Sequence, residues 1–183
     1  SDSMNLNIDR SSDLTGSLDL SMAAGNDNLY SAKIINSDSI DMGPGDDYVA
    51  LMLSGTNGTP TIANANFTKL DGGSGSDTLS FGESAAFNGE LTVTTGGASG
   101  FENIYGTPGT ETIKGDANAN LLRGGRGGSD IIYGYAGNDI LYGHGQDNDS
   151  ASDSSYTSAK TLYGGEGDDI SVSYTHLTLP TKA

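Results

Sequence analysis

Cysteine and tryptophan are both absent from the 183-residue chain, and proline occurs only four times. Without cysteine no disulfide framework holds the chain together. Hydrophobic residues make up 34% of the sequence, which is too little for a thick core. The sequence also lacks an apolar run of the roughly 18 residues that a membrane helix needs. Some other cross-link must therefore stabilise the folded chain.

Basic residues are scarce as well. Eight Lys and Arg residues stand against 24 Asp and Glu residues, which gives a formal net charge of -16. This balance argues against nucleic acid or an anionic membrane as a partner and favours cations. The sequence 123–128, RGGRGG, resembles an RNA-binding element, but the acidic surroundings argue against that function. The N-terminus lacks the order of a signal peptide, and we expect the chain to be an internal piece of a larger protein.

Glycine, in contrast, is abundant, with 28 residues, and much of it recurs at a nine-residue step. From Gly106 the chain reads GTPGTETIK, GDANANLLR, GGRGGSDIIY with one extra residue, and GYAGNDILY. Further copies are GGSGSDTLS at 72–80, MGPGDDYVA at 42–50, MAAGNDNLY at 22–30 and GGEGDDISV at 164–172. Such an array predicts a repeat architecture rather than a conventional globular core.

These units resemble the RTX, or haemolysin-type, calcium-binding nonapeptide GGxGxDxUx, in which U is a large aliphatic residue. The unit 72–80 matches at every defined position, and 134–142 matches at all but the second glycine, where Tyr135 stands. Residues 100–125 are similar to the phrase that commonly opens such arrays in the family. The resemblance implies an all-β fold, a right-handed parallel β-roll or β-solenoid, in which each strand pairs with the strand two repeats away.

The x-U-x part of each unit predicts a short strand whose central residue points inward. This assigns one aliphatic side chain per repeat to a thin core. The expected inward residues are Leu29, Val49, Leu79, Ile113, Leu122, Ile132, Leu141 and Leu162.

The recurring spacing of acid and glycine along the chain predicts calcium ligands. Calcium takes about 6 to 8 oxygen ligands and mixes carboxylates with backbone carbonyls, and two stacked turns can supply both. The expected carboxylate ligands are Asp27, Asp47, Asp77, Asp130, Asp139 and Asp169, with Glu111 and Asn120 as weaker ligands at the same position. The expected carbonyl positions are Gly25, Gly45, Gly73, Gly75, Gly125, Gly127, Gly134, Ala136, Gly137, Gly165 and Gly167. The preceding polar residues Asn26, Asp46, Asn138 and Asp168 are expected to form turns rather than to bind the ion.

The repeats suggest four regions. Residues 1–80 are expected to form degenerate β-solenoid rungs with scattered calcium repeats, 81–105 a β connection, and 106–171 the β-roll. Within the roll, the inserted loop 143–160 carries Asp147, Asp149 and Asp153. These acids could form an additional cation site or belong to a solvated loop. The Gly and Glu that an EF-hand requires are missing, which favours the solvated loop. Residues 172–183 resemble the translation of a sequencing-library adaptor, and we expect a non-native tail there.

Catalytic motifs such as HExxH, GxSxG, a Walker loop and CxxC are absent from the sequence. We therefore expect a noncatalytic calcium-binding segment of a secreted or cell-surface bacterial protein. The family resemblance implies type I secretion and folding outside the cell when calcium binds. Two alternatives remain open: the carrier region of an extracellular protease, lipase or polysaccharide-modifying enzyme, and an ion-independent β-solenoid with solvated acids.

Overall fold

A computed structural model describes residues 5–8, 17, 19–31, 38–51, 69–82, 86–144 and 159–172. This part of the chain consists of short strands and one 3-10 turn at Thr95–Gly97. The strands are β1 Asn5–Ile8, β2 Asp19–Ser21, β3 Asn28–Ser31, β4 Ser39–Asp41, β5 Tyr48–Leu51, β6 Lys69–Asp71, β7 Thr78–Ser80, β8 Asn88–Thr92, β9 Asn103–Tyr105, β10 Thr110–Lys114, β11 Leu121–Arg123, β12 Ile131–Ala136, β13 Ile140–Tyr142, β14 Thr161–Glu166 and β15 Ile170–Val172. Among the described residues, no helix has the length and apolarity that a membrane span requires.

Every strand pairs in parallel with the strand two places away in the sequence. The odd-numbered strands form one eight-stranded sheet that runs in order from β1 to β15. The even-numbered strands form a three-stranded sheet, β2-β4-β6, and a four-stranded sheet, β8-β10-β12-β14. Two successive strands therefore make one coil, and the chain is the parallel β-roll that the repeats predict.

The core is a single layer of aliphatic side chains between the facing sheets. The predicted inward residues Leu29, Val49, Leu79, Ile113, Leu122, Ile132 and Leu141 are all fully buried. Leu162 is partly buried and packs against this layer. The prediction of one inward aliphatic residue per repeat is thus confirmed. The degenerate rungs and the 81–105 connection add other buried residues, namely Ile40, Met42, Leu70, Phe81, Leu91, Phe101 and Ile104.

The outer face of the odd-numbered sheet carries a ladder of aromatic residues. Tyr30, Tyr48 and Tyr105 approach one another with ring centroids 5.8 and 6.2 Å apart. The guanidinium of Arg123 lies 4.9 Å from the Tyr105 ring and 4.5 Å from the Tyr142 ring. Arg123, which the sequence places in an RGG element, is therefore packed between two tyrosines.

The structure describes some of the four predicted regions more completely than others. The odd-numbered sheet continues from β1 through β9 to β15, whereas the even-numbered sheet is interrupted between β6 and β8. Only the ends of the predicted loop 143–160 are described, and Asp147, Asp149 and Asp153 lie outside the described residues. Val172 belongs to β15, so the predicted tail begins inside a strand, and residues 173–183 lie outside the described part. The division into four regions stays a prediction.

Candidate metal centre

The two edges of the roll contain different sets of the predicted acids. We call the connections from even- to odd-numbered strands the first edge and the opposite connections the second edge. Glu111 and Asp130 lie on the second edge, where Glu111 is the second residue of β10 and Asp130 directly precedes β12. The first edge carries Asp27, Asp47, Asp77, Asn120, Asp139 and Asp169, each directly before an odd-numbered strand.

On the first edge, each acid receives a backbone hydrogen bond from the coil below. The N–H of Asp27 donates to Oδ1 of Asp47 over 2.7 Å, and the N–H of Asp47 donates to Oδ1 of Asp77 over 2.7 Å. The same pattern continues from Asn120 to Asp139 over 2.8 Å and from Asp139 to Asp169 over 3.0 Å. The acids therefore stack in one column, with one carboxylate oxygen of each held by the backbone.

The second carboxylate oxygen is left without a partner at three of these positions. Oδ2 of Asp47, Asp77 and Asp139 is buried and accepts no hydrogen bond within the described residues. Buried carboxylate oxygens are rarely left unsatisfied because desolvation is costly. Three oxygens in equivalent positions fit a cation that binds at the same place in successive coils.

The glycines of the turns allow carbonyl oxygens of the neighbouring coil to approach the backbone closely. A Cβ atom on Gly45 would lie 1.8 Å from the Gly25 carbonyl oxygen, and one on Gly75 would lie 1.7 Å from the Gly45 oxygen. The arrangement recurs at the other end of the roll, where a Cβ on Gly165 would lie 1.9 Å from the Tyr135 oxygen. Each turn thus presents carbonyl groups toward the next turn, which any side chain would block.

Most of the predicted carbonyl glycines have the left-handed backbone that favours glycine: Gly25, Gly45, Gly73, Gly75, Gly125, Gly137, Gly165 and Gly167. Gly127 does not have this backbone conformation. Gly134 and Ala136 lie within β12, and the left-handed Gly165 lies within β14. The two strands extend into their turns because Tyr135 pairs with Gly165 and Ala136 pairs with Glu166. Tyr135 adopts φ of 80° at the position of the motif's second glycine, so it carries backbone strain.

On the second edge, Glu111 and Asp130 are neighbours in consecutive coils. The N–H of Glu111 donates to Oδ1 of Asp130 over 2.9 Å. Oε1 of Glu111 accepts a bond from the Thr107 hydroxyl, whereas the buried Oε2 accepts none within the described residues. Glu111 thus repeats the pattern of the first edge, with one oxygen held and the other available.

Burial disfavours the ionised form of these acids when no cation is bound. Burial raises the pKa of Asp47 and Asp139, and it raises that of Asp77 to about 6. The pKa of Glu111 is raised to about 8, first by burial and then by the charge of Asp130. A divalent ion beside these oxygens would favour the ionised form.

The polar residues one position earlier form a separate, exposed ladder. The N–H of Asp46 donates to Oδ1 of Asn26, that of Ser76 to Oδ1 of Asp46, and that of Asp168 to Oδ1 of Asn138, each over 3.0 Å. Their side chains fix the turns of neighbouring coils. This placement agrees with their predicted role as turn formers.

The donor set suits a hard cation. Within the described ranges no group of three or more His, Cys, Asp or Glu side chains converges on one point. Each position instead offers one or two carboxylates together with backbone carbonyls. Oxygen-only coordination of this mixed kind is typical of calcium and unsuited to zinc.

The fold and these positions define a class of protein: a parallel β-roll whose stacked turns bind calcium. Four segments of the chain match the RTX calcium-binding nonapeptide repeat, at residues 69–84, 105–127, 125–149 and 161–171. The chain therefore carries RTX repeats, and calcium is the ion that they bind. Together the matched segments cover less than half of the chain. Comparison with curated proteins and with solved structures gives no match.

On the N-terminal side, the column of acids in the structure extends beyond the segments that match the family. Asp27 and Asp47 precede the first matched segment, yet they belong to the same hydrogen-bonded column as Asp77. The column therefore extends the calcium-type arrangement through coils whose sequences are degenerate.

Two further acids occupy equivalent positions that sequence analysis missed. Oε2 of Glu102 accepts the N–H of Asp77 over 2.9 Å, which places Glu102 next in the first-edge column. Asp38 is fully buried and directly precedes β4 on the second edge. Both stand two residues before a buried isoleucine, Ile104 or Ile40, so the D-x-U spacing was the available signal.

Proposed function

We propose that this chain is a noncatalytic calcium-binding β-roll segment of a secreted or cell-surface bacterial protein, which folds outside the cell when calcium binds. The observation that carries the proposal is the column of buried carboxylates whose second oxygens lack a hydrogen-bond partner at Asp47, Asp77 and Asp139. Without a cation these charges repel one another in a thin core. Calcium supplies the missing cross-link of a chain that has no cysteine.

A location outside the cell follows from the concentration of the ion. Extracellular calcium modules have dissociation constants of about 10⁻⁴ to 10⁻³ M, far above the free calcium of the cytosol. A chain that needs such concentrations stays unfolded inside the cell, which suits export through a type I secretion system. RTX repeats are typical of secreted proteins, and this association supports the proposal.

A noncatalytic role is supported by where the acids lie. The buried carboxylates are spaced along the two edges and bonded to the backbone of the neighbouring coil. General acid–base catalysis instead needs carboxylates that face a bound substrate. The segment would therefore serve its parent protein as a calcium-dependent structural unit.

The test is a calcium titration of the metal-free chain followed by far-UV circular dichroism, with magnesium as the control. We expect a coil spectrum in chelator, a β spectrum at about millimolar calcium, and no comparable change with magnesium, which requires tighter octahedral geometry. A β spectrum that is already complete in chelator would contradict the proposal and favour an ion-independent solenoid.

A further inference from the structure

Lys160 occupies the place in the second edge where the repeat has its acid. Ile131 of β12 pairs with Thr161 of β14, so the residues before them, Asp130 and Lys160, lie side by side in consecutive coils. Thr112 of β10 pairs with Ile131, which aligns Glu111 with the same two residues. The second-edge column therefore reads Glu111, Asp130, Lys160, with a cationic residue at its third position.

The ammonium group of Lys160 is buried against the neighbouring coil. Its Nζ lies 2.6 Å from Oδ2 of Asp130, and it also donates a hydrogen bond to the carbonyl oxygen of Gly127. The Lys160 side chain is 1% exposed and that of Asp130 is 0% exposed. The backbone reinforces the contact because the N–H of Thr161 donates to the Asp130 carbonyl over 2.9 Å.

The oxygens that hold this ammonium are the ones expected to hold calcium. Gly127 O and the Asp130 carboxylate are among the ligands that the repeat motif predicts for this turn. At Asp47, Asp77 and Asp139 the equivalent Oδ2 atoms have no partner among the described residues, whereas Oδ2 of Asp130 is bonded to Lys160. One position of the array thus contains its own cation.

We propose that Lys160 replaces a calcium ion in the β-roll: its ammonium group fills the site between the turn of Asp130 and the following coil, and no metal binds there. This inference rests on the proposed calcium function of the other positions. The ammonium ties β14 to β12 without metal, at the end of the inserted loop 143–160. The number of bound ions is consequently one lower than a count of stacked turns suggests.

The first experiment uses the unaltered chain and measures the rate at which its lysines are acetylated, by mass spectrometry in saturating calcium. Lys69 and Lys114 serve as internal references because their side chains are 41% and 30% exposed. We expect Lys160 to react at least about tenfold more slowly than either, since a buried, hydrogen-bonded ammonium is shielded from the reagent. Acetylation of Lys160 at the rate of Lys114 would mean that calcium expels the ammonium, and it would overturn the inference.

The second experiment counts calcium ions by isothermal titration calorimetry in Lys160→Asp, which restores the acid of the motif. We expect this variant to bind one more ion than the unaltered chain. Lys114→Asp is the matched control, because it makes the same charge change in an exposed ion pair with Glu90 and should leave the count unchanged. An unchanged count in a Lys160→Asp variant that folds in calcium would overturn the inference.

The two proposals fail in distinguishable ways. If the unaltered chain neither folds nor releases heat when calcium is added, the calcium function itself is wrong. If it binds calcium but its Lys160 is acetylated rapidly, only the replacement of calcium by lysine is wrong. Should Lys160→Asp not fold, the acetylation rate of the unaltered chain still decides.

Discussion

At the scale of single residues, the contacts of the second carboxylate oxygen separate the expected calcium ligands from the other acids of the chain. Asp139 and Asp168 lie on neighbouring turns of the first edge and carry the same charge. Oδ2 of Asp139 is buried without a partner, whereas Asp168 is exposed and its N–H bonds to Asn138. Burial and orientation, not charge alone, decide which carboxylate serves as a ligand.

Asp139→Asn should weaken calcium binding by at least about tenfold, or about 1.4 kcal/mol. The amide keeps Oδ1, which accepts the Asn120 N–H, but it replaces the charged Oδ2 with an NH₂ group that cannot bind a cation. Calcium affinity is measured by isothermal titration calorimetry. Asp168→Asn is the control, since it removes the same charge from the neighbouring turn of the same edge and should change affinity little. An equal loss in both variants would show that only net charge matters.

The raised pKa values predict opposite pH dependences with and without calcium. In the ion-free roll, burial raises the pKa of Asp77 from 3.8 to about 6 and that of Glu111 from 4.5 to about 8. The folded state then binds more protons than the unfolded state, so its stability falls as pH rises through this range. Bound calcium stabilises the ionised forms and reverses the sign, so the loaded roll loses stability as pH falls.

The measurement is the β content of calcium-stripped and calcium-saturated protein at about pH 5 and about pH 8, by far-UV circular dichroism combined with thermal unfolding. The ion-free chain should contain more β structure at the lower pH, and the loaded chain should have its higher Tm at the higher pH. Ion-free β content that increases with pH would contradict the assigned burial of these acids.

At the scale of elements, each strand contributes one core residue and therefore little stability by itself. Adjacent residues of β12 show the division clearly, since Ile132 is fully buried and Ile131 is 36% exposed. Removing the inward side chain leaves a cavity in a core that is one layer thick. The outward side chain of Ile131 is partly exposed to solvent.

Ile132→Ala should destabilise the calcium-loaded roll by about 2 to 5 kcal/mol, the usual cost of a truncated core aliphatic residue. Ile131→Ala, the matched change one residue away, should cost less than about 1 kcal/mol. Urea unfolding in saturating calcium gives both values. Equal losses in the two variants would mean that β12 does not face the core as described.

Most of these elements were predictable because the nine-residue period encodes them directly. Each unit specifies a turn glycine, an acid and an inward aliphatic residue, and Asp139, Gly137 and Leu141 follow one another at the spacing that the motif requires.

The assignment of acids to edges was not predictable, because interruptions change the number of residues between stacked neighbours. The hydrogen-bonded pair Asp27 and Asp47 is 20 residues apart, whereas Asp47 and Asp77 are 30 apart. Sequence analysis consequently did not separate Glu111 and Asp130 from the first-edge column. It also passed over Lys160, since a motif that demands an acid gives no reason to inspect a cation at the same position.

At the scale of the whole molecule, calcium offsets two weaknesses of the chain. The core is thin, and the formal net charge of -16 opposes compaction. At millimolar calcium, a site with a dissociation constant of about 10⁻⁴ M adds about 1.4 kcal/mol of stability. Several sites along the edges therefore supply stabilisation comparable with the total of an ordinary domain.

The most direct test of this account is anomalous X-ray scattering from crystals of the calcium-saturated protein. We predict calcium peaks between stacked turns, each in contact with Oδ2 of Asp47, Asp77 or Asp139 or with Oε2 of Glu111, and no peak between Asp130 and Lys160. Carboxylates that contact only water, with no anomalous peak along either edge, would contradict the claim that calcium binds between the turns of this roll.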